Sequence, residues 1–156
     1  AGVAFGINRG VRVICDFSLQ HMKSRPAQVA DKLIVRDFGR GTKGFCPADQ
    51  VTAELDDTVA VCVMPGTEIA FDETIRQYEY SGWLNEKKPL EHKVAIFRQI
   101  EKDVACAHHD ALELPDGKIV KLTTLEVGQT ATVLQLPAAP KTEQEAQDQK
   151  RLEIVA

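Results

Sequence analysis

Aromatic side chains are scarce in this 156-residue chain, at 6% of residues with a single tryptophan. No apolar run approaches the roughly 20 residues that a membrane-spanning helix requires. The first ten residues, AGVAFGINRG, lack the charged-then-apolar order of a signal peptide. The four cysteines, at 15, 46, 62 and 106, contain no CxxC pair. Cys15 and Cys62 lie inside apolar runs, where a thiol acts as a small buried hydrophobe. The reading is four reduced thiols in a reducing compartment, with a pair of disulfides as the alternative. A cytoplasmic location is expected, or a virion if the chain is viral.

What is present is an ordinary globular composition, 44% hydrophobic and 27% charged, of one domain's length. The stretch Thr58–Asp72 (TVAVCVMPGTEIAFD) anchors the reading. Val59, Val61 and Val63 alternate with Thr58, Ala60, Cys62 and Met64. Neither face is polar, so the strand should be covered on both sides. Pro65-Gly66 is a turn, after which Ile69 and Phe71 alternate with Glu68 and Asp72. Val11–Leu19 and Lys32–Phe38 read as further strands, and GRGTKG (39–44) as a turn.

The expected fold is mainly β, a small barrel or sandwich of six to eight strands with a C-terminal β-meander. Three segments are expected: an arm over 1–10, a single β-rich domain over 11–137 and a polar helical tail over 138–156. Within 89–105, Leu90, Val94, Phe97, Ile100 and Val104 fit a helical spacing after Pro89, whereas Val94, Ile96, Arg98 and Ile100 alternate as a strand would. The helix fits slightly better. The meander runs from ALEL through the PDG turn at 115–117 to KIVKL, and on through Gly128 to TATVLQL. Within it, LTTLEVGQTATV (122–133) resembles a turn-and-strand phrase of small SH3-like barrels, which implies barrel-like packing and no activity. Pro137 and Pro140 end the sheet. Thr142 and Glu145 have capping-box spacing for a tail helix whose apolar residues, Leu152, Ile154 and Val155, are bunched at its end.

The net charge of −4 conceals a division. Residues 9–43 carry eight basic side chains against three acidic ones, and residues 44–80 carry eight acidic ones against Arg76. Neighbouring segments can neutralise one another, and mixed-sign surfaces are common. Complementary faces on two copies would instead set register and partner choice. A grip on nucleic acid through 9–43 is a third reading. It is weakened by the acidic total and by the lack of stacking aromatics in that stretch beyond Phe38 and Phe45.

Candidate chemistry is sparse. Cys106, His108 and His109 form a cluster of zinc-type ligands, but adjacent histidines on a strand face opposite ways and no further ligand has diagnostic spacing. GRGTKG lacks the residue order of a P-loop. Cys15, Asp16 and His21 could be drawn as nucleophile and base, and Glu68 with Asp72 as acid and base. A core cysteine and solvated charges explain these as well. Tyr78, Tyr80 and Trp83 within six positions suit a core plug or an interface anchor.

The balance favours a non-enzymatic structural or interaction protein, with no catalytic residues, no cofactor and no metal assigned. It would act as a subunit of a larger assembly, with copies of itself or another subunit as partners. A β-domain with extensions running to neighbours is how capsid-stabilising or accessory proteins of virions are built. The expected interface residues are Arg36, Arg40, Lys43, Trp83, Leu152, Ile154 and Val155. The alternatives are a small-ligand or metal-dependent β-barrel enzyme using the His108/His109 loop and a nucleic-acid-binding module using basic residues 9–43.

Overall fold

The computed structural model describes residues 23–39, 41–50, 54, 58–81, 83–104, 107–137, 142–143 and 146–147. The expected strand over 11–19 and the arm over 1–10 lie outside them, as do Arg40, Cys106, Leu152, Ile154 and Val155.

The chain is mainly β, as its alternating patterns require. Its strands are β1 (Lys23–Pro26), β2 (Lys32–Asp37), β3 (Lys43–Pro47), β4 (Val59–Cys62), β5 (Glu68–Phe71), β6 (Arg76–Ser81), β7 (Leu84–Pro89), β8 (Val94–Gln99), β9 (Asp110–Glu113), β10 (Ile119–Lys121) and β11 (Thr130–Gln135). Nine form one mixed sheet in the order β1-β4-β3-β2-β11-β5-β8-β9-β10, and β6 and β7 form a separate two-stranded ribbon. Within the nine-stranded sheet the β1–β4 pair is parallel and the other pairs are antiparallel.

The sheet curls over its core without closing into a barrel. Phe97 and Asp110, from β8 and β9, come against Phe45, Val61 and Val63 from the β3–β4 end. Leu33, Ile69, Leu112 and Leu125 are fully buried in this cluster, and the rings of Phe45 and Phe71 lie 6.4 Å apart in a tilted pair. The two-sided burial expected of β4 is present: Val61 and Val63 enter the core, and Ala60 and Cys62 are buried as well. The Pro65-Gly66 turn brings Gly66 N–H to the Phe97 carbonyl at 2.7 Å. Gly66 has φ of +97°, and a Cβ there would meet the Pro137 Cβ at 2.9 Å, so glycine is required twice over.

Three expectations are corrected. Residues 94–99 form a strand, not a helix, because Ala95 and Phe97 alternate into the core between β5 and β9. Burial between two partners outweighs the marginal helical spacing. The last three strands are not a simple meander: β9 and β10 form the hairpin expected at PDG, while β11 crosses over to pair with β2 and β5. Cys62 is disulfide-bonded with its partner outside the described residues, so the reading of four reduced thiols fails and its argument for a reducing compartment falls with it. Cys46 is a free, buried thiol. Among the described residues no helix is long and apolar enough to cross a membrane. At the tail, Glu143, Ala146 and Gln147 are helical, with Ala146 N–H donating to the Thr142 carbonyl at 3.1 Å.

Candidate interaction surface

The β6–β7 ribbon stands on the sheet at one end and projects at the other. Its register runs from Arg76↔Pro89 at the base to Ser81↔Leu84 at the tip. Leu90 N–H donates to the Ile75 carbonyl at 2.8 Å, so the next pair, Arg76–Pro89, falls at a non-hydrogen-bonded position. Pro89 therefore ends β7 without forfeiting a ladder bond. The sequence pattern for this hairpin was present in YEYSGW, alternating tyrosines followed by a Ser-Gly turn signal, but the flanking EKK charges obscured it.

Glu126 ties both strands of the ribbon to the body. It accepts from Arg76 Nε at 2.6 Å and from Lys87 Nζ at 2.7 Å, and Arg76 also reaches Glu73 at 2.9 Å. Hydrogen bonds from Lys87 and Arg76 hold the Glu126 carboxyl below the usual carboxylate range. Gln129, nearly buried, binds the main chain of Arg76 through its side-chain amide. Lys43 from β3 donates to the Leu125 carbonyl at 2.7 Å and lies 5.1 Å from the centre of the Tyr78 ring. Burial pushes the Lys43 ammonium below its ordinary value, partly offset by Asp37.

The free end differs. All six residues of β7 are exposed, Leu84 is 66% exposed, and Trp83 at the tip is wholly exposed. Glu79 and Glu86 face each other across the strands, a like-charge pair relieved where Lys88 Nζ reaches Glu79 at 3.1 Å. A rigid base beneath a bare indole is an arrangement suited to contact with another molecule, since burying that ring is favourable and fixing the ribbon costs no further ordering.

A second surface lies on the outer face of the sheet. A cleft of about 320 Å³ crosses β5, β8 and the β9 end, with Val94, Ile96 and Leu134 on its walls and Glu68 and Glu113 at its rim. Val94 and Leu134 are nearly half exposed. Arg98 reaches Glu113 at 3.2 Å. A polar cleft of about 340 Å³ lies at the other end of β5. Its side chains are tied to one another: Thr130 Oγ1 donates to Asp72, and Arg76 pairs with Glu73.

The residues singled out from sequence are dispersed. Arg36 Nη1 donates to the Gln50 carbonyl at 3.0 Å and to Thr58 Oγ1 at 2.8 Å. With Lys43 pointing to Leu125, both lie part-buried in internal bonds while Trp83 stands clear. Arg25 pairs with Asp31 at 2.8 Å, and Lys32 donates to Thr132 at 2.7 Å. His109 Nδ1 lies 3.0 Å from the Ile100 carbonyl, and among the described residues no three His, Cys, Asp or Glu side chains gather at one point. Glu68 opens β5 and Asp72 follows its last residue, four positions on and about 13 Å away along an extended chain, too far to share a proton. They line different clefts. The Gln129 clamp had no sequence signal, because the Arg76 main-chain groups it binds are 53 residues away.

No family model, curated protein or solved structure matches the chain.

Proposed function

We propose that this protein is a non-enzymatic structural subunit of a larger assembly, joined to its neighbours through the tip of the β6–β7 ribbon. The observation that carries this reading is Trp83, wholly exposed at the end of a ribbon whose base is fixed by Glu126, Gln129 and Lys43. Tryptophan buried at an interface is a frequent hot spot, and a pre-ordered ribbon loses little entropy on docking. The partners are copies of this chain or another subunit. A capsid-accessory role in a virion is the finer version of the same reading.

The nucleic-acid reading is weaker because Arg25, Lys32, Arg36 and Lys43 direct donors to partners within the fold. The enzymatic reading lacks a constellation of reactive groups among the described residues.

Native mass spectrometry of the full-length protein and its Trp83→Ala variant over a range of concentrations tests the proposal. A defined oligomer that dissociates in the variant is expected. A protein that stays monomeric at high concentration, alone and with candidate partner subunits, would overturn it.

A further inference from the structure

The outer edge of β7 is an unused strand edge. Among the described residues β7 has β6 as its one sheet neighbour, and all six of its residues are exposed. The main-chain groups of Arg76 are taken by Gln129 and Glu126, which marks Arg76–Pro89, Tyr78–Lys87 and Tyr80–Asn85 as the pairs that are not hydrogen-bonded. The N–H and carbonyl of Asn85 and of Lys87, with the Pro89 carbonyl, therefore point away from the ribbon. Side chains alternate between faces along the strand. Lys87 turns to the body, where Glu126 holds it, and Glu86 and Lys88 share the opposite face with Glu79. On that face Lys88 reaches Glu79 at 3.1 Å, whereas Glu86 stands opposite Glu79 and forms no ion pair among the described residues.

We infer that β7 of a second copy adds antiparallel to this edge about a two-fold axis through Lys87, giving a four-stranded sheet in the order β6-β7-β7-β6. The inference rests on the assembly reading and names its partner and its mode of contact. A two-fold axis between antiparallel strands stands perpendicular to the sheet, so a residue meets only residues of its own face across it. Centred on Glu86 or on Lys88, the pairing sets like charges of that face directly against each other, which opposes association. Centred on Asn85, it sets Glu86 against the partner's Leu84. Centred on Lys87, it sets Glu86 against the partner's Lys88, twice by symmetry, at a non-hydrogen-bonded position where Cα atoms approach to about 4.5 Å. The partner's Lys88 then lies between two carboxylates, Glu86 and the partner's Glu79. The two Lys87 side chains that meet at the axis are each neutralised by a Glu126 at 2.7 Å. In this register Lys87 exchanges both main-chain bonds with the partner's Lys87, and the Asn85 N–H donates to the carbonyl of the partner's Pro89. Lysine and proline on an edge strand ordinarily deter such pairing. Here each lysine has a carboxylate, and Pro89 serves as an acceptor. The same register carries Trp83 alongside the base of the partner's ribbon, level with the partner's Glu91.

The test uses the full-length protein with Glu86→Lys and Lys88→Glu made as separate variants, one of them labelled with heavy nitrogen, and native mass spectrometry as the readout. Each variant alone should self-associate at least about tenfold more weakly than the wild type, because both symmetric contacts become like-charge pairs. Mixed, the two should form a heterodimer of near wild-type strength, since every such contact is again of opposite sign. An oligomer that neither variant weakens, or a mixture that shows no recovery, would overturn the inference and leave the assembly reading to be decided by Trp83→Ala. A chain that is monomeric alone yet binds another subunit would likewise overturn only the inference, and a monomer under every condition would overturn both. As a second measurement, exchange of the Asn85 and Lys87 amides in the wild type should slow at least about tenfold between the dilute and the assembled protein. Unchanged exchange at both amides in an assembled sample would also overturn the inference.

Discussion

The side-chain amide of Gln129 binds both main-chain groups of Arg76. Its Oε1 accepts from the Arg76 N–H at 2.7 Å, and its Nε2 donates to the Arg76 carbonyl at 2.8 Å. The same nitrogen donates to the Glu126 carbonyl at 2.9 Å. One side chain thus replaces a strand neighbour where β6 leaves the body, and satisfies main-chain groups that a nine-stranded sheet cannot reach. Gln77 forms an isolated bridge with Leu125 one residue further on, so the ribbon is hinged to the fold at two consecutive positions.

Replacing Gln129 with leucine removes these bonds and leaves the Arg76 N–H without its acceptor, while the Arg76 carbonyl keeps the Glu126 N–H at 3.1 Å. The expected loss is about 3 kcal/mol, measured by urea denaturation. Hydrogen exchange should show faster exchange confined first to the ribbon amides.

Glu126→Gln tests the charge at the same base. The carboxyl of Glu126 titrates below its ordinary value of 4.5 in the fold, because Lys87 and Arg76 hydrogen-bond to its charged form. A depressed folded value gives stability that is present above pH about 4.5 and is lost as pH falls through the folded value. Denaturation midpoints of the wild type should therefore fall in acid more steeply than those of Glu126→Gln. Parallel pH profiles for the two proteins would contradict this account.

Gly66→Ala places a Cβ 2.9 Å from the Pro137 Cβ in a backbone with φ of +97°. The strain and clash together should cost about 2 kcal/mol or more, read as a lowered Tm. The effect should exceed that of Gly117→Ala, where φ is +87° but no atom lies within 4 Å of the added carbon.

Thr67 is fully buried, and its hydroxyl has no hydrogen-bond partner. An unpaired hydroxyl in the core opposes folding, so Thr67→Val should be neutral or stabilising by up to about 1–2 kcal/mol. A substantial loss of stability on equilibrium unfolding would show that the hydroxyl is paired in solution.

Trp83→Ala should change stability by no more than about 0.5 kcal/mol, because the ring is wholly exposed. It is the single tryptophan of the chain, so fluorescence reports on the ribbon tip alone. Emission of a hydrated indole is expected at high dilution, shifting to the blue as concentration rises and the tip docks. Emission independent of concentration in an assembled sample would remove Trp83 from the interface.

How much of this was legible in the sequence depended on where each segment's partners lie. Short apolar runs at Lys32–Phe38 and Thr58–Met64, bounded by turn residues, marked strands, since a strand covered on both sides is apolar on both faces whatever its neighbours are. The PDG and Pro65-Gly66 turns were readable for the same local reason. Val94–Gln99 was ambiguous because its apolar residues satisfy both periods, and burial of Ala95 and Phe97 between β5 and β9 resolved it. Arg36 and Lys43 looked like surface cations, as any lone basic residue does. Their acceptors, Gln50, Thr58 and Leu125, become neighbours only in the folded chain.

Composition and local pattern by themselves determined a mainly β chain, its turns and the concentration of aromatic residues around Trp83, because these depend on contacts within a few residues. The tertiary structure alone decided that β11 crosses to lie between β2 and β5, that Cys62 is oxidised, and that Glu126 and Gln129 fix the base of a ribbon leaving Trp83 in solvent. Those outcomes depend on pairings between residues as many as about a hundred positions apart, whose energies no short window of sequence contains.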